Sequence, residues 1–211
     1  MLIIAQPKSA STSLAMTMAD ILDWPFHQVF LSKHKSRKSL CLSNLRKKRD
    51  QIVPDLPHGD MCQYTSSDLK SMSVLHKIFK QHIPPTDNNL RNLKEKQVKC
   101  IILLRDPKEA SLAYMRHVKM SEKEKYKNPR KNSIVLNKRF FALSWFHNRY
   151  LGINDLNYVK IIHFENLVVE PTRIVNEILE FYSREPVDNV VLRQERFTGV
   201  GLNKLKENKS E

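Results

Sequence analysis

Short apolar segments alternate with amphipathic segments along this chain. The apolar runs at 2–6 and 98–104 have the length and composition of buried strands, and the run at 2–6 is continuous, as in a strand covered on both faces of a sheet. The segment at 76–85 alternates as a strand does and is stopped by two prolines, and residues 28–32 and 158–164 are further strand candidates. The amphipathic segments have helical spacing and cover residues 11–22, 66–75, 88–95, 107–117, 134–151 and 171–182. Strands that alternate with helices predict an α/β protein with a central parallel sheet flanked by helices. In such a sheet ligands bind beyond the carboxyl ends of the strands.

Length and charge add further expectations to this pattern. A length of 211 residues suits one compact domain, and we predict a single domain over 1–211 with a basic mobile insertion near 119–133 and a charged C-terminal tail at 203–211. The net charge of +14 implies acidic ligands such as nucleotides, sulfated or phosphorylated substrates, or nucleic acid. A basic polyanion- or RNA-binding protein is therefore one alternative, although no aromatic-rich RNA-recognition motif is present.

Cysteine usage and hydropathy bear on the compartment. The three cysteines, Cys41, Cys62 and Cys100, cannot all pair, and none has the spacing of metal ligands. This usage fits a reducing compartment, and we expect a cytoplasmic protein without a metal site, in which Cys100 is a buried thiol. No apolar run approaches the length of a membrane helix, so we expect no membrane span.

The turn after the first predicted strand is rich in small hydroxyl residues and contains a lysine. Residues 6–13 read QPKSASTS and lead into the first predicted helix. Free backbone N–H groups and the helix dipole make such a turn an anion site, and Lys8 adds a point charge. The turn differs from the nucleoside-triphosphate P-loop, G-x-x-x-x-G-K-[ST], because it has no glycine and its lysine comes early. A nucleotide or small-molecule kinase is therefore a disfavoured alternative.

Two further polar clusters follow predicted strands. Lys80 and His82 lie at the end of the third apolar segment, and histidine titrates near neutral pH, which suits removal of a proton from an alcohol. Arg105 directly follows an apolar segment and precedes Asp106 and Pro107, where the proline suits the first turn of a helix. An arginine in this place has the planar fork that binds a phosphate group.

Together these motifs resemble those of sulfotransferases that use 3′-phosphoadenosine 5′-phosphosulfate (PAPS). Residues 7–13 resemble the 5′-phosphosulfate loop, P-K-[SG]-[GA]-[ST]-[ST]-[WLS]. Residues 80–84 resemble the segment K-T-H-x-P, with Gln81 in place of threonine. Residues 100–107 resemble the strand of the 3′-phosphate motif, which ends in R-[DN]-P. The motifs occur in the family's order, and the interval between His82 and Arg105 is close to the family's.

The chain departs from the family pattern at several positions. Ala113 occupies the position of the serine that follows the arginine, so either Ser111 serves through a local shift or the hydroxyl contact is missing. The turn after the last predicted strand resembles Y-E-D-L-x-x-x-P, with Phe164 for the tyrosine and Asn166 for the acid. Residues 196–201 loosely resemble the late basic-glycine loop that closes over the 3′-phosphate.

The resemblance implies a P-loop-like sulfotransferase that moves a sulfuryl group from PAPS to an alcohol or amine of a small molecule or glycan, with PAP as product and no metal. It implies catalysis by Lys8, Lys80 and His82, with His82 as general base. It implies cofactor binding by Lys8, Ser9, Ala10, Ser11, Thr12, Ser13, Arg105, Ser111, Arg196 and Gly199.

For four other residues the sequence gives a weaker indication of a place in the functional site. His58 and Asp60 either face the acceptor or are ordinary loop residues, and the second reading is favoured. We expect the aromatic residues Phe141 and Trp145 in the core rather than in the site.

Overall fold

The computed structural model describes residues 1–27, 76–121 and 129–193, with the side chains of residues 117–132 excluded. Several predictions therefore lie outside the described residues, and they concern the strand at 28–32, the helix at 66–75, most of the insertion, the tail, and Cys41, Cys62, His58, Asp60, Arg196 and Gly199.

The described strands are short and the helices alternate with them. The strands are β1 Leu2–Ala5, β2 Phe26–His27, β3 Ile78–Gln81, β4 Cys100–Leu104 and β5 Val159–His163. The helices are α1 Ser11–Leu22, α2 Asp87–Glu95, α3 Pro107–Ser121, α4 Pro129–Leu151, α5 Phe164–Val169 and α6 Pro171–Phe181.

All five strands are parallel and form one sheet in the order β2-β3-β1-β4-β5. The central strand β1 and its neighbour β4 are completely buried, as expected for apolar strands covered on both faces. Their side chains alternate between two clusters, so that Leu2 and Ile4 pack on one face while Ile3 and Ala5 pack on the other. The first face is covered by α2, α3 and α4, and the second by α1, α5 and α6. The predicted parallel sheet with helices on both faces is confirmed.

The topology creates a crevice between the two central strands. The helix after β1, α1, packs on one face of the sheet, whereas the helix after β4, α3, packs on the other. The loops that follow these adjacent strands therefore diverge at their carboxyl ends, which is the switch point where open α/β sheets bind ligands.

Some predicted boundaries differ from the structure. Helix α3 continues to Ser121, beyond its predicted end at 117, and α4 begins at Pro129, ahead of its predicted start at 134. A proline is favoured in the first turn of a helix, which explains the early start of α4. The predicted strand at 158–164 ends at His163, because Phe164 begins the short helix α5.

The two aromatic residues of α4 behave differently. Trp145 packs at the margin of the core, as predicted. Phe141 is 69% exposed, so the prediction that it lies in the core is wrong. The buried stripe of α4 runs through Ala142, Phe146 and Tyr150, and Phe141 projects about 100° away from Ala142 around the helix.

Two further observations concern Cys100 and the apolar character of the helices. Cys100 is a buried free thiol as predicted, and burial raises its pKa to about 12. Among the helices within the described ranges, none has the length and apolar character needed to cross a bilayer.

Candidate functional site

The loop after β1 makes a tight turn that leaves the start of α1 uncapped. Lys8 and Ala10 both have left-handed backbone conformations, with φ angles of 68° and 56°. Ala10 is the N-cap residue of α1 and offers no side-chain cap, and the first turn of the helix carries no acidic residue. Turns of this kind direct successive N–H groups toward an anion, and an uncapped helix start adds further donors. The loop therefore has the electrostatic character of a phosphate site.

The predicted hydroxyl residues of this loop fall into two groups. The Ser9 hydroxyl is buried and donates to the Gln6 carbonyl at 2.7 Å, so it shapes the turn. The Ser13 hydroxyl donates to the Arg193 carbonyl, so it anchors a distant segment to α1. Ser11 and Thr12 make no hydrogen bond through their hydroxyls within the described ranges, and they remain candidate donors to a ligand.

Arg105, directly after β4, is fixed by four contacts. Its backbone N–H donates to Gln6 Oε1 at 3.0 Å, and its Nη1 donates to the Lys8 carbonyl at 2.9 Å. Its carbonyl accepts from His147 Nδ1 at 3.2 Å. Its guanidinium lies over the Phe164 ring, with 4.2 Å between Cζ and the ring centroid. Such support pre-organises the cation before any ligand arrives.

The charge of Arg105 has no direct counter-ion in the described part of the chain. Within the described residues, Arg105 contacts carbonyl and amide oxygens and an aromatic ring rather than a carboxylate. Burial lowers the pKa of the Arg105 guanidinium, and Glu165 and Glu109 oppose this shift from a distance. The Nε atom of Arg105 is also buried without a hydrogen-bond partner. A buried cation with a spare donor is complementary to an anionic group.

The end of β3 lies beside the end of β1. Lys80 and His82 are buried, with 5% and 6% of their surfaces exposed. His82 Nδ1 is 2.7 Å from the Ala5 carbonyl. Because a carbonyl oxygen only accepts, Nδ1 must carry the hydrogen, and in the neutral ring Nε2 then carries the lone pair. This tautomer is the one that a general base acting through Nε2 requires.

The start of α3 is built around Asp106. The Asp106 carboxylate accepts from the backbone N–H of Glu109 at 2.9 Å. The backbone N–H of Asp106 donates to Glu165 Oε1 at 3.0 Å. Farther along the helix, the Ser111 hydroxyl donates to the Pro107 carbonyl at 2.6 Å and is almost fully buried. In this arrangement the Ser111 hydroxyl donates its proton to a backbone carbonyl of its own helix, so a contact with a phosphate requires rotation of the Ser111 side chain.

The Arg105 turn is also contacted by residues to which the sequence assigned no role, and these are Gln6, His147, Phe164 and Glu165. Phe164 and Glu165 lie in the turn after β5 that resembles a family motif, so a signal for them existed. His147 lies within α4 and has no local signal. Burial and the neighbouring His163 lower the pKa of His147, although its bond to Arg105 opposes that shift.

The candidate residues thus converge on one edge of the sheet. The loop after β1 with Lys8, the end of β3 with Lys80 and His82, and Arg105 after β4 all lie at the carboxyl ends of adjacent strands. Within residues 1–27, 76–121 and 129–193, no group of three or more His, Cys, Asp or Glu side chains is arranged to hold a metal ion.

Comparison with known proteins identifies the family. A family model described as the sulfotransferase domain matches residues 1–209, so the chain belongs to this family of enzymes. The crystal structure of a sulfotransferase from Alicyclobacillus acidocaldarius is similar with a TM-score of 0.55 at 14% identity, over 99% of this chain and 90% of that one. No curated protein matches the sequence.

A mouse sulfotransferase whose crystal structure is a complex with PAP is also similar, with a TM-score of 0.55 at 15% identity. The match covers 89% of this chain, which spans 59% of the mouse chain. At such identities the likeness shows the fold, and the predicted sulfotransferase-like α/β architecture is confirmed.

Proposed function

We propose that this chain transfers the sulfuryl group of PAPS to an alcohol or amine of a small molecule or glycan. The acceptor oxygen or nitrogen forms a bond to sulfur while the bond between sulfur and the bridging phosphate oxygen breaks. The acceptor's proton passes to a base, and the leaving phosphate oxygen takes the electron pair and departs with PAP.

The observation that carries this proposal is the position of two cationic elements at one switch point. The loop with Lys8 and the turn with Arg105 are joined by a hydrogen bond of 2.9 Å, and the first turn of α1 carries no acidic residue. A cofactor with an anionic group at each end of a ribose is complementary to such a pair. The mouse sulfotransferase of similar fold was crystallised with PAP, which supports the same cofactor.

The proposal gives each residue a role. Lys8 and the N–H groups at the start of α1 stabilise charge on the leaving phosphate oxygen, and Lys80 supports the sulfuryl group. His82, with its lone pair on Nε2, deprotonates the acceptor. Arg105 binds the 3′-phosphate. Cofactor contacts by the following residues remain predictions: Ser9, Ala10, Ser11, Thr12, Ser13, Ser111, Arg196 and Gly199.

Three other parts of the proposal come from the sequence. The cytoplasmic location comes from cysteine usage. The single domain over 1–211 and the absence of a required metal follow from length and from the family resemblance.

Binding of PAP compared with ATP tests the cofactor. A ligand at 100 times its dissociation constant stabilises a protein by about 2.7 kcal/mol, so PAP should raise the unfolding temperature clearly more than ATP at equal concentration. An equal or larger effect of ATP would contradict the proposal and favour a kinase. A similar response to PAP and to unrelated polyanions such as RNA would favour a polyanion-binding protein.

Turnover of PAPS tests the base. His82→Ala should lower the rate of PAP formation with an alcohol or amine acceptor by about 10²- to 10⁴-fold, and PAP affinity should change little. His163→Ala is a matched control at the end of β5 and should keep most of the rate. Nearly full activity of His82→Ala would show that the base lies elsewhere.

A further inference from the structure

The side chain of Gln6 joins the two anion-binding elements of the crevice. Its backbone N–H donates to the Leu103 carbonyl at 2.9 Å and extends the pairing of β1 with β4. Its side-chain Oε1 accepts from the backbone N–H of Arg105 at 3.0 Å. Together with the bond from Arg105 Nη1 to the Lys8 carbonyl, these contacts connect the loop after β1 to the end of β4 at one point and to the Arg105 turn at two points.

The orientation of the Gln6 amide follows from its partner. A backbone N–H only donates, so the Gln6 atom that faces Arg105 is the oxygen, and Nε2 is the other atom. Gln6 is fully buried, and its Nε2 has no hydrogen-bond partner in the described residues. Gln6 Nε2 and Arg105 Nε are therefore two buried donors without a partner in the described residues, and they belong to residues that are joined by the bond from the Arg105 backbone N–H to Gln6 Oε1. An excess of donors without acceptors suits an anionic ligand.

We infer that Gln6 is a positioning residue of the cofactor site, and this inference rests on the proposed function. Its carboxamide fixes the distance between the loop that takes the 5′-phosphate and the arginine that takes the 3′-phosphate. The ligand class that benefits is a nucleoside carrying both phosphates, because such a ligand engages both elements at once. Fixing two binding groups in advance raises affinity for a ligand that needs both.

This role predicts a selective loss. Gln6→Leu keeps a side chain of similar size but removes the acceptor for the Arg105 N–H. The variant should bind PAP about ten-fold or more weakly. A nucleoside with one phosphate uses only one element, so binding of adenosine 5′-monophosphate and adenosine 3′-monophosphate should each change by less than about three-fold.

Calorimetric titration of the three nucleotides into wild type and variant measures this difference. Gln6→Asn serves as a second variant if the leucine variant fails to fold, because its amide is one methylene too short to reach Arg105. Asn176→Leu is the matched control, since the Asn176 amide exchanges two hydrogen bonds with Val187 at 3.0 and 2.9 Å in a different part of the fold. The control should bind all three nucleotides like the wild type.

Two results would overturn the inference while wild type still binds PAP. One is an unchanged PAP affinity in both Gln6 variants, and the other is an equal loss for all three nucleotides, as a general loss of structure would cause. Failure of the wild type to bind PAP would instead overturn the proposed function and this inference with it.

Discussion

The loop after β1 and the turn after β4 lie side by side in the crevice but are built by different means. The loop after β1 offers the backbone of residues 6–10 and the uncapped start of α1, and two left-handed residues shape it. The turn after β4 offers the side-chain cation of Arg105, which is supported by Gln6 from the loop after β1 and by residues from α4 and α5. The first element is built from neighbours in sequence, whereas the second depends on residues brought together by the fold.

This difference determines how a substitution in each element impairs anion binding. A site made of backbone groups loses little when one side chain is removed, because the N–H donors remain in place. A site made of one supported side chain loses its charge when that side chain is removed and its geometry when a support is removed. Substitutions in the two elements should therefore differ in how much ligand binding they remove and in which replacement side chain restores that binding.

The largest effect is expected when the charges themselves are removed. Arg105→Ala should weaken PAP binding by about 10- to 150-fold, because a hydrogen-bonded charge pair contributes about 1.5–3 kcal/mol. Lys8→Ala should weaken it by only about ten-fold, since the backbone donors of the loop remain. Both variants should keep the unfolding temperature of the wild type within a few degrees. Titration calorimetry compares them, and an equal loss in both variants would remove the proposed distinction.

A support of Arg105 should have the next largest effect. A cation over an aromatic face contributes about 1–2 kcal/mol when it is shielded from water, so Phe164→Leu should weaken PAP binding by about five- to thirty-fold. Phe164→Tyr keeps the aromatic face and should restore most of the affinity. Phe146→Leu removes a buried ring elsewhere in the core and should lower stability without changing the affinity. No recovery in the tyrosine variant would contradict a role for the ring.

Backbone strain in the loop after β1 predicts a substitution that stabilises the fold, and its effect in free energy is smaller than the effects on PAP binding above. A left-handed conformation costs a residue with a Cβ roughly 1–2 kcal/mol, and glycine avoids this cost but loses more entropy on folding. Ala10→Gly should therefore raise the free energy of unfolding by roughly 0.5–1 kcal/mol. Ala15→Gly, inside α1, should lower it by about 1 kcal/mol. Denaturant unfolding of both variants tests the strain, and destabilisation by Ala10→Gly would argue against it.

The smallest effect concerns pH and the turn after β4. Burial lowers the pKa of His147 in the folded protein, so protonation favours the unfolded chain, and stability should fall as the pH drops below the ordinary histidine value of about 6.5. His147→Asn keeps an N–H donor near the Arg105 carbonyl but does not titrate. Between pH 7.5 and pH 5 the wild type should lose more stability than this variant. Parallel stability curves would show that His147 does not contribute to the pH dependence.

The sequence by itself determined the features that depend on neighbouring residues. The alternation of apolar and amphipathic segments predicted β1, β3, β4 and β5, most of the helices and the parallel sheet, because buried strands are apolar and helices have their own period. It did not predict β2 at Phe26–His27. The small residues around Lys8 predicted the anion-binding turn, since turn chemistry is local. The short helix α5 was missed because Phe164 continues the apolar pattern of β5, and the exposure of Phe141 was missed because an aromatic residue on α4 was taken as core.

Only the tertiary structure decided how Arg105 is supported. Gln6 and Arg105 are 99 positions apart and His147 lies 42 positions beyond Arg105, so no local pattern links them. The strand order brings β1 beside β4, and the packing of α4 and α5 then brings His147 and Phe164 to the same turn. Hydrogen bonds and ring contacts of this kind depend on atoms a few ångströms apart in the folded chain, which the spacing of residues along the sequence does not encode.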